Sequence, residues 1–325
     1  MLRHVAAFEF RYQLKSPVFW VGCALFFLLT YGSVVVDTIQ IGSRGNVNVN
    51  SPYAILQTLV TMSLFATFVV VAMVANVILR DEETGFAPIL RSTRLARGDY
   101  LLGRFSGAVA AALLVFATMP LAVWFGSLMP WLDPDKVGPF RPLDYLYAVF
   151  LFALPTLLIL SSLFFSIATA TRSMMWTYVT AVGLLVAYFV MLGLLSDPRH
   201  DTVVGLLDPF GLATLQLATK YYTAAERNTV LPPMTGILLA NRVLWLALGV
   251  ACFALAAALF RFETGPRGRA RQDGDGRRDA ATAVAVLPCA AARPRLEAEQ
   301  GGGEREAGDA EGEPQHAVRQ QDPRH

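Results

Sequence analysis

Six apolar runs divide this 325-residue chain, at about 18–36, 55–79, 105–128, 145–170, 174–195 and 237–260. Each is close to the roughly 20 residues that a helix needs to cross the hydrocarbon of a bilayer. None carries Asp, Glu or Lys at its centre, and none shows the polar face that a core helix of a soluble protein would show. Arg242 stands near the start of the last run, where a long side chain can snorkel toward the interface. With 54% hydrophobic and only 16% charged residues, the chain lies outside the range of soluble domains. The expected fold is all-α: a polytopic membrane helix bundle of six transmembrane helices, with an N-terminal interfacial helix and a disordered C-terminal tail.

Lysine and arginine bias short loops toward the cytoplasm. The N-terminal segment has Arg3, Arg11 and Lys15, whereas the loop 37–54 has only Arg44. The next loop has Arg80, Arg91, Arg94, Arg97 and Arg104; the third, about 129–144, has Lys136 and Arg141; the fourth is a tight link at Arg172. This alternates if both termini are cytoplasmic, with the long loop 196–236 outside. VVVDTIQIG after the first run lacks a small-x-small cleavage pattern, so that run is expected to stay as a signal anchor.

Residues 1–17 place Val5, Phe8 and Tyr12 on one helical face and Arg3, Glu9 and Lys15 elsewhere, ending at Pro17. They read as an interfacial amphipathic helix, or more simply as a polar leader before the first span. From about 264 to 325 the composition changes. Ten arginines and eleven acids occur there without a single Phe, Tyr, Trp, Ile, Met, Lys, Asn or Ser. Such a segment buries too little apolar surface to offset its ordering entropy. It is either an acidic–basic linker or an out-of-frame translation of GC-rich DNA.

Catalytic patterns are missing from the spans. His4, His200, His316 and His325 all lie outside them, no pair of aspartates lies within them, and neither HExxH nor GxxxxGK[ST] occurs. Cys23, Cys252 and Cys289 have neither metal nor disulfide spacing. The expectation is no enzyme, no metal, no directly bound cofactor and no nucleic-acid partner. Any ATP-driven work belongs to another subunit. The spans are expected to lack buried charge, so no ion path is evident, and a lipidic, amphipathic or peptide cargo is compatible.

The segment Arg80–Arg104, RDEETGFAPILRSTRLARGDYLLGR, is the best functional candidate. Arg80, Asp81, Glu82 and Glu83 can prolong the preceding helix; Thr84-Gly85 ends it. Phe86 to Leu95 then forms a stub with Phe86, Ile89, Leu90 and Leu95 among Arg91 and Arg94, either docking in a partner's groove or serving as a solvated topological loop. Asp99-Tyr100-Leu101-Leu102-Gly103-Arg104 starts the next span. Gly103, Gly107 and Ala111 make a small-residue ladder for close helix packing, within the chain or against a second subunit. Pro120 and Pro155 should bend their helices, and Asn76 reads as a helix–helix hydrogen bond. Leu212 to Leu217 is too short to span; it either dips into the outer leaflet and returns or lies as a surface helix. Tyr221 and Tyr222 suit an interface.

The acids, Thr-Gly, Leu-rich stub, arginine and Asp-Tyr-Leu-Leu-Gly-Arg resemble the coupling segment of type-2 ATP-binding cassette (ABC-2) exporter permeases. So does the start, Glu9-Phe10-Arg11 through Leu14-Lys15-Ser16-Pro17-Val18-Phe19-Trp20. The resemblance covers about 1–263. Met129-Pro130-Trp131-Leu132-Asp133-Pro134, Asp208-Pro209-Phe210-Gly211, Thr219-Lys220-Tyr221-Tyr222-Thr223 and Glu226-Arg227-Asn228 resemble a bacterial subgroup fused to a zinc aminopeptidase-like domain. The departure after Phe260-Arg261-Phe262-Glu263 suggests truncation and puts peptidase activity outside this chain. The resemblance implies an elbow helix, six permease spans over 18–263 and a reentrant segment before the last span. It also implies contact of Asp81, Glu82, Glu83, Gly85, Ile89, Leu90, Arg91 and Arg94 with a cytoplasmic ATP-binding subunit. Arg172 would help on that surface or mark topology only. The expected partners are ATP-binding subunits, a second permease half (homodimer or paired half) and the lipid bilayer, in a bacterial inner membrane. The rival expectation is a membrane anchor or scaffold for an enzyme domain, without transport.

Overall fold

The computed structural model describes residues 1–83, 96–193 and 198–260. Helix α1 (Leu2–Lys15) leads directly into α2 (Pro17–Val35). Helix α3 (Pro52–Val70) passes through a π turn (Val71–Ala75) into α4 (Asn76–Glu83). Helix α5 spans Arg97–Ser127. Helix α6 (Pro142–Ala148) passes through a second π turn (Val149–Ala153) into α7 (Leu154–Thr171). Then come α8 (Met174–Gly193), the short α9 (Asp201–Leu207), α10 (Leu212–Ala218) and α11 (Ala224–Thr229), and α12 (Gly236–Leu259). No strand occurs among the described residues. Six stretches are long and apolar enough to cross a membrane: Pro17–Val35, Pro52–Arg80, Arg97–Ser127, Pro142–Thr171, Met174–Gly193 and Gly236–Leu259. The chain is an all-α, multi-pass membrane protein.

The breaks between helices follow local chemistry. Ser16 turns to extended backbone, and Pro17, which has no N–H to leave unpaired, opens α2. Ser51 accepts a hydrogen bond from the Ala54 N–H, and Pro52 occupies the first turn of α3. Arg172 closes α7 in the left-handed region at φ 50°, a conformation that costs a non-glycine residue about 1–2 kcal/mol. Pro155 lies just after the second π turn. There the Leu154 N–H reaches back to the Val149 carbonyl, so the widened turn accommodates the proline. Pro120 lies inside the unbroken α5.

The third span starts at Arg97, just before the Asp99 start read from the sequence and well ahead of the apolar run at about 105. Its 31 residues make about 46 Å of helix at 1.5 Å per residue, against about 30 Å of hydrocarbon. The first turns of α5 therefore extend beyond the apolar layer, where polar residues are no obstacle to helix.

The second and fourth spans are the centre of the bundle, being 72% and 67% buried; the fifth and sixth, at 22% and 17%, are its periphery. Phe26, Phe152, Phe164, Phe165, Met73, Met119 and Leu157 fill the core. Exposed Trp20, Phe189, Val190 and Val250 present the apolar exterior that lipid favours. The end carrying Arg80 and Thr171 is called here the Arg80 end; the other is the Asn48 end. At the latter, polar side chains close the loops. Asn50 and Gly138 exchange two hydrogen bonds of 2.7 Å. Asn228 accepts from the Asn48 N–H at 2.8 Å and donates to the Asn46 carbonyl at 2.9 Å.

From the Asn48 end, α9 and α10 form a hairpin that dips into the bundle. Its tip, Asp208–Gly211, reaches Thr156, whose hydroxyl lies 3.3 Å from the Phe210 carbonyl. Thr156 lies about 14 residues past Pro142, roughly 21 Å down the fourth span. Leu212, Ala213, Thr214 and Leu215 are buried, so α10 is no surface helix. A helix end must have its free backbone groups satisfied, and here side chains do it. Asn241 donates to the Gly205 and Asp208 carbonyls at 2.7 and 2.8 Å, and Trp245 donates to the Leu206 carbonyl at 2.9 Å. The Asp208 carboxylate accepts from the N–H groups of Phe210, Gly211 and Thr214.

Five charged side chains are buried among the described residues: Glu9, Arg104, Asp144, Asp208 and Arg242. This corrects the expectation of spans free of buried charge. Arg242 does not snorkel; it is 3% exposed, donates to the Thr156 hydroxyl at 3.0 Å and lies over the Phe152 ring. Asn76, expected in a helix–helix hydrogen bond, is exposed beside the first π turn.

Candidate functional site

At the Arg80 end, α1 lies across the first turns of α5 because α5 is small there. A Cβ at Gly103 would stand 2.7 Å from the Val5 Cβ, and one at Gly107 would stand 2.5 Å from the Ala6 carbonyl oxygen. Ala111, the third rung, is fully buried. The neighbour of the ladder at Gly103 and Gly107 is thus α1 of the same chain. Gly107→Ala should destabilise the protein by about 1–3 kcal/mol, since the obstacle is backbone that moves only with α1. Gly98→Ala, with nothing within 4 Å of its Cβ, should be neutral or stabilise by up to about 1 kcal/mol. Thermal unfolding of both variants in detergent tests the contrast.

This close approach buries an acid. Glu9 is 0% exposed, whereas Phe8 and Tyr12, read from sequence as the apolar face, are 57% and 45% exposed. Of the three residues read as that face only Val5 turns inward, onto Gly103; Glu9 and Gln13 take the inward positions beyond it, and the reason is charge. The Glu9 carboxylate pairs with Arg80 at 2.7 Å and with Arg104 on α5. Gln13, one turn on, donates to Glu9 at 2.9 Å and to the Met73 carbonyl at 3.0 Å. Met73 lies in the first π turn, where the wider winding disturbs the usual pairing and leaves a carbonyl for a side chain. Arg80 also stacks over Tyr12 at 3.8 Å, and Arg104 lies 5.4 Å from the Phe8 ring and 5.5 Å from that of Tyr100.

One carboxylate on α1 thus joins the end of the second span, before residue 84, to the beginning of the third, after residue 95. The helix continues through Asp81, Glu82 and Glu83, as their position after the span suggested. Gly85, Ile89, Leu90, Arg91 and Arg94 lie outside the described residues. Arg172 is at the same end, since α7 packs against α4. Sequence reasoning missed Glu9, Gln13 and Arg104 as a group. The available signal was Glu9 and Gln13 at i and i+4 on one helical face, with arginines flanking the charged loop.

Among the described residues, no group of three or more His, Cys, Asp or Glu side chains converges as metal ligands would. Neither a family model nor a curated protein matches the chain.

Proposed function

We propose that this chain is the membrane-spanning permease subunit of an ATP-binding cassette exporter, with both termini cytoplasmic in a bacterial inner membrane. The observation that carries the reading is the Glu9 clamp on both flanks of segment 84–95. A loop that only connects two spans needs no shared buried counter-ion at its two ends. A loop that receives a push does, because the push has to reach α1, α4 and α5 together. The charged stretch 81–94 would meet an ATP-binding subunit, which consumes the ATP; a second permease half would complete the pathway. Nucleotide-dependent closure of the ATP-binding subunits would then bias the bundle between two packings.

The test is co-purification of the full chain with the ATP-binding subunit from its source membrane, followed by Glu82→Lys/Glu83→Lys. Reversing two contact charges should weaken association about 10–100-fold. Persistent association at full strength, or purified complexes that never contain an ATPase, would favour the rival reading of a membrane anchor. A cysteine at Ser92 should react with an impermeant thiol reagent only from the cytoplasmic side. Labelling from the other side would remove the proposal.

A further inference from the structure

The geometry points to a lipid site: the outward face of α1 binds anionic phospholipid headgroups of the bilayer that holds the chain. The inference stands apart from the exporter reading.

The face of α1 turned away from α5 carries His4, Ala7, Phe8, Arg11, Tyr12 and Lys15, which line a shallow depression of about 390 Å³. All six are exposed, as is Arg3 beside them. The only acid of α1, Glu9, is buried on the opposite side and already engaged by two arginines. Arg3, Arg11 and Lys15 form no ion pair with any described residue. The outward face is therefore cationic without any exposed acid of its own, and two aromatic rings stand among the charges.

Position fixes what such a face meets. Helix α1 packs on Gly103 and Gly107, at the point where α5 leaves its apolar run. The chain then turns at Ser16, and the span α2 begins at Pro17. Trp20, 64% exposed and donating to the Leu14 carbonyl at 3.0 Å, sits at the same junction, in the place where tryptophan favours a membrane interface. Helix α1 thus lies beside the bundle at headgroup level, and its free side looks along the bilayer plane. Phosphates are the anions at that depth. Arg and Lys supply the charge and the N–H donors, and the rings suit the boundary between glycerol and acyl chain.

The experiment uses the full chain purified from vesicles made of equal parts phosphatidylglycerol and phosphatidylcholine, with retained lipid identified by native mass spectrometry. Wild type should retain phosphatidylglycerol in preference, and the preference should shrink as salt rises. Each surface cation contributes roughly a fivefold preference, so Arg11→Gln/Lys15→Gln should lower the enrichment by about tenfold or more. Its melting temperature should not change, because both side chains are exposed and unpaired. Lys136→Gln, at the Asn48 end, should leave the enrichment intact. Equal retention of the two lipids by wild type, an undiminished preference in the double variant, or an equal loss in Lys136→Gln would each overturn the site.

Discussion

Glu9→Gln is expected to destabilise the folded protein by about 3–5 kcal/mol, the range for removing one partner of a buried ion pair. In a chain of this size that corresponds to a fall in melting temperature of about 10 °C. The asymmetry of the cluster sets the size of the effect. The Arg104 side chain is 4% exposed and cannot turn to water, whereas that of Arg80, at 14%, lies nearer the surface. Glutamine keeps the shape and still offers one oxygen to Gln13. It withdraws the Glu9 charge from two guanidinium groups, one of them buried. Arg80→Gln should cost much less, because Glu9 keeps Arg104. Replacing both members, as Glu9→Met/Arg104→Met, should recover most of the loss, since apolar side chains of similar volume replace the buried pair and Arg80, the other partner of Glu9, lies nearer the surface. A double-mutant cycle read by thermal unfolding tests this. A Glu9→Gln protein that melts with wild type would mean that Glu9 binds nothing essential, and the clamp would lose its role in the proposed coupling.

Run length was enough to find the spans, because about 20 consecutive apolar residues have few other uses. It failed at the start of α5, since a helix can continue into polar surroundings and hydropathy is blind to that continuation. Buried charge was hidden for a different reason. Arg242 sits under Gly211 only because the hairpin folds back on α12, and Glu9 meets Arg104 only because two glycines let α1 approach. A pattern read along one helix carries neither fact. Rules for isolated amphipathic helices place Glu9 away from the face of Val5, Phe8 and Tyr12, because they assume that charge seeks water. Here it finds guanidinium groups instead. The ladder Gly103, Gly107 and Ala111 was legible as a packing surface, but the identity of its neighbour was not. Asn46, Asn48 and Asn50 carry no pattern of their own, because Gly138 and Asn228, with which they bond, lie far along the chain.

Gly211→Ala should destabilise the protein by about 2–5 kcal/mol, combining left-handed strain with overpacking. Gly211 has φ 92°, and a Cβ there would stand 1.5 Å from Arg242 Nη2 and 2.7 Å from its Cζ. The guanidinium has no easy retreat. It is 3% exposed, held to Thr156 through Nη1 and backed by the Phe152 ring. Alanine must therefore displace either Arg242 or the turn. Moving the turn also disturbs the Gly211 N–H bond of 2.8 Å to Asp208. Gly45 separates the two contributions: at φ 69° with no atom within 4 Å of its Cβ, Gly45→Ala should show the strain alone, about 1–2 kcal/mol. The excess at Gly211 measures how firmly Arg242 is wedged under the hairpin tip. If that wedge holds the hairpin tip against Thr156 of α7, Gly211→Ala should also expose the hairpin, read as faster labelling of a cysteine placed at Ala213, which is fully buried in the native fold. Equal losses at Gly45 and Gly211, with Ala213→Cys still protected, would mean that Arg242 moves aside freely and does not lock the hairpin into the bundle.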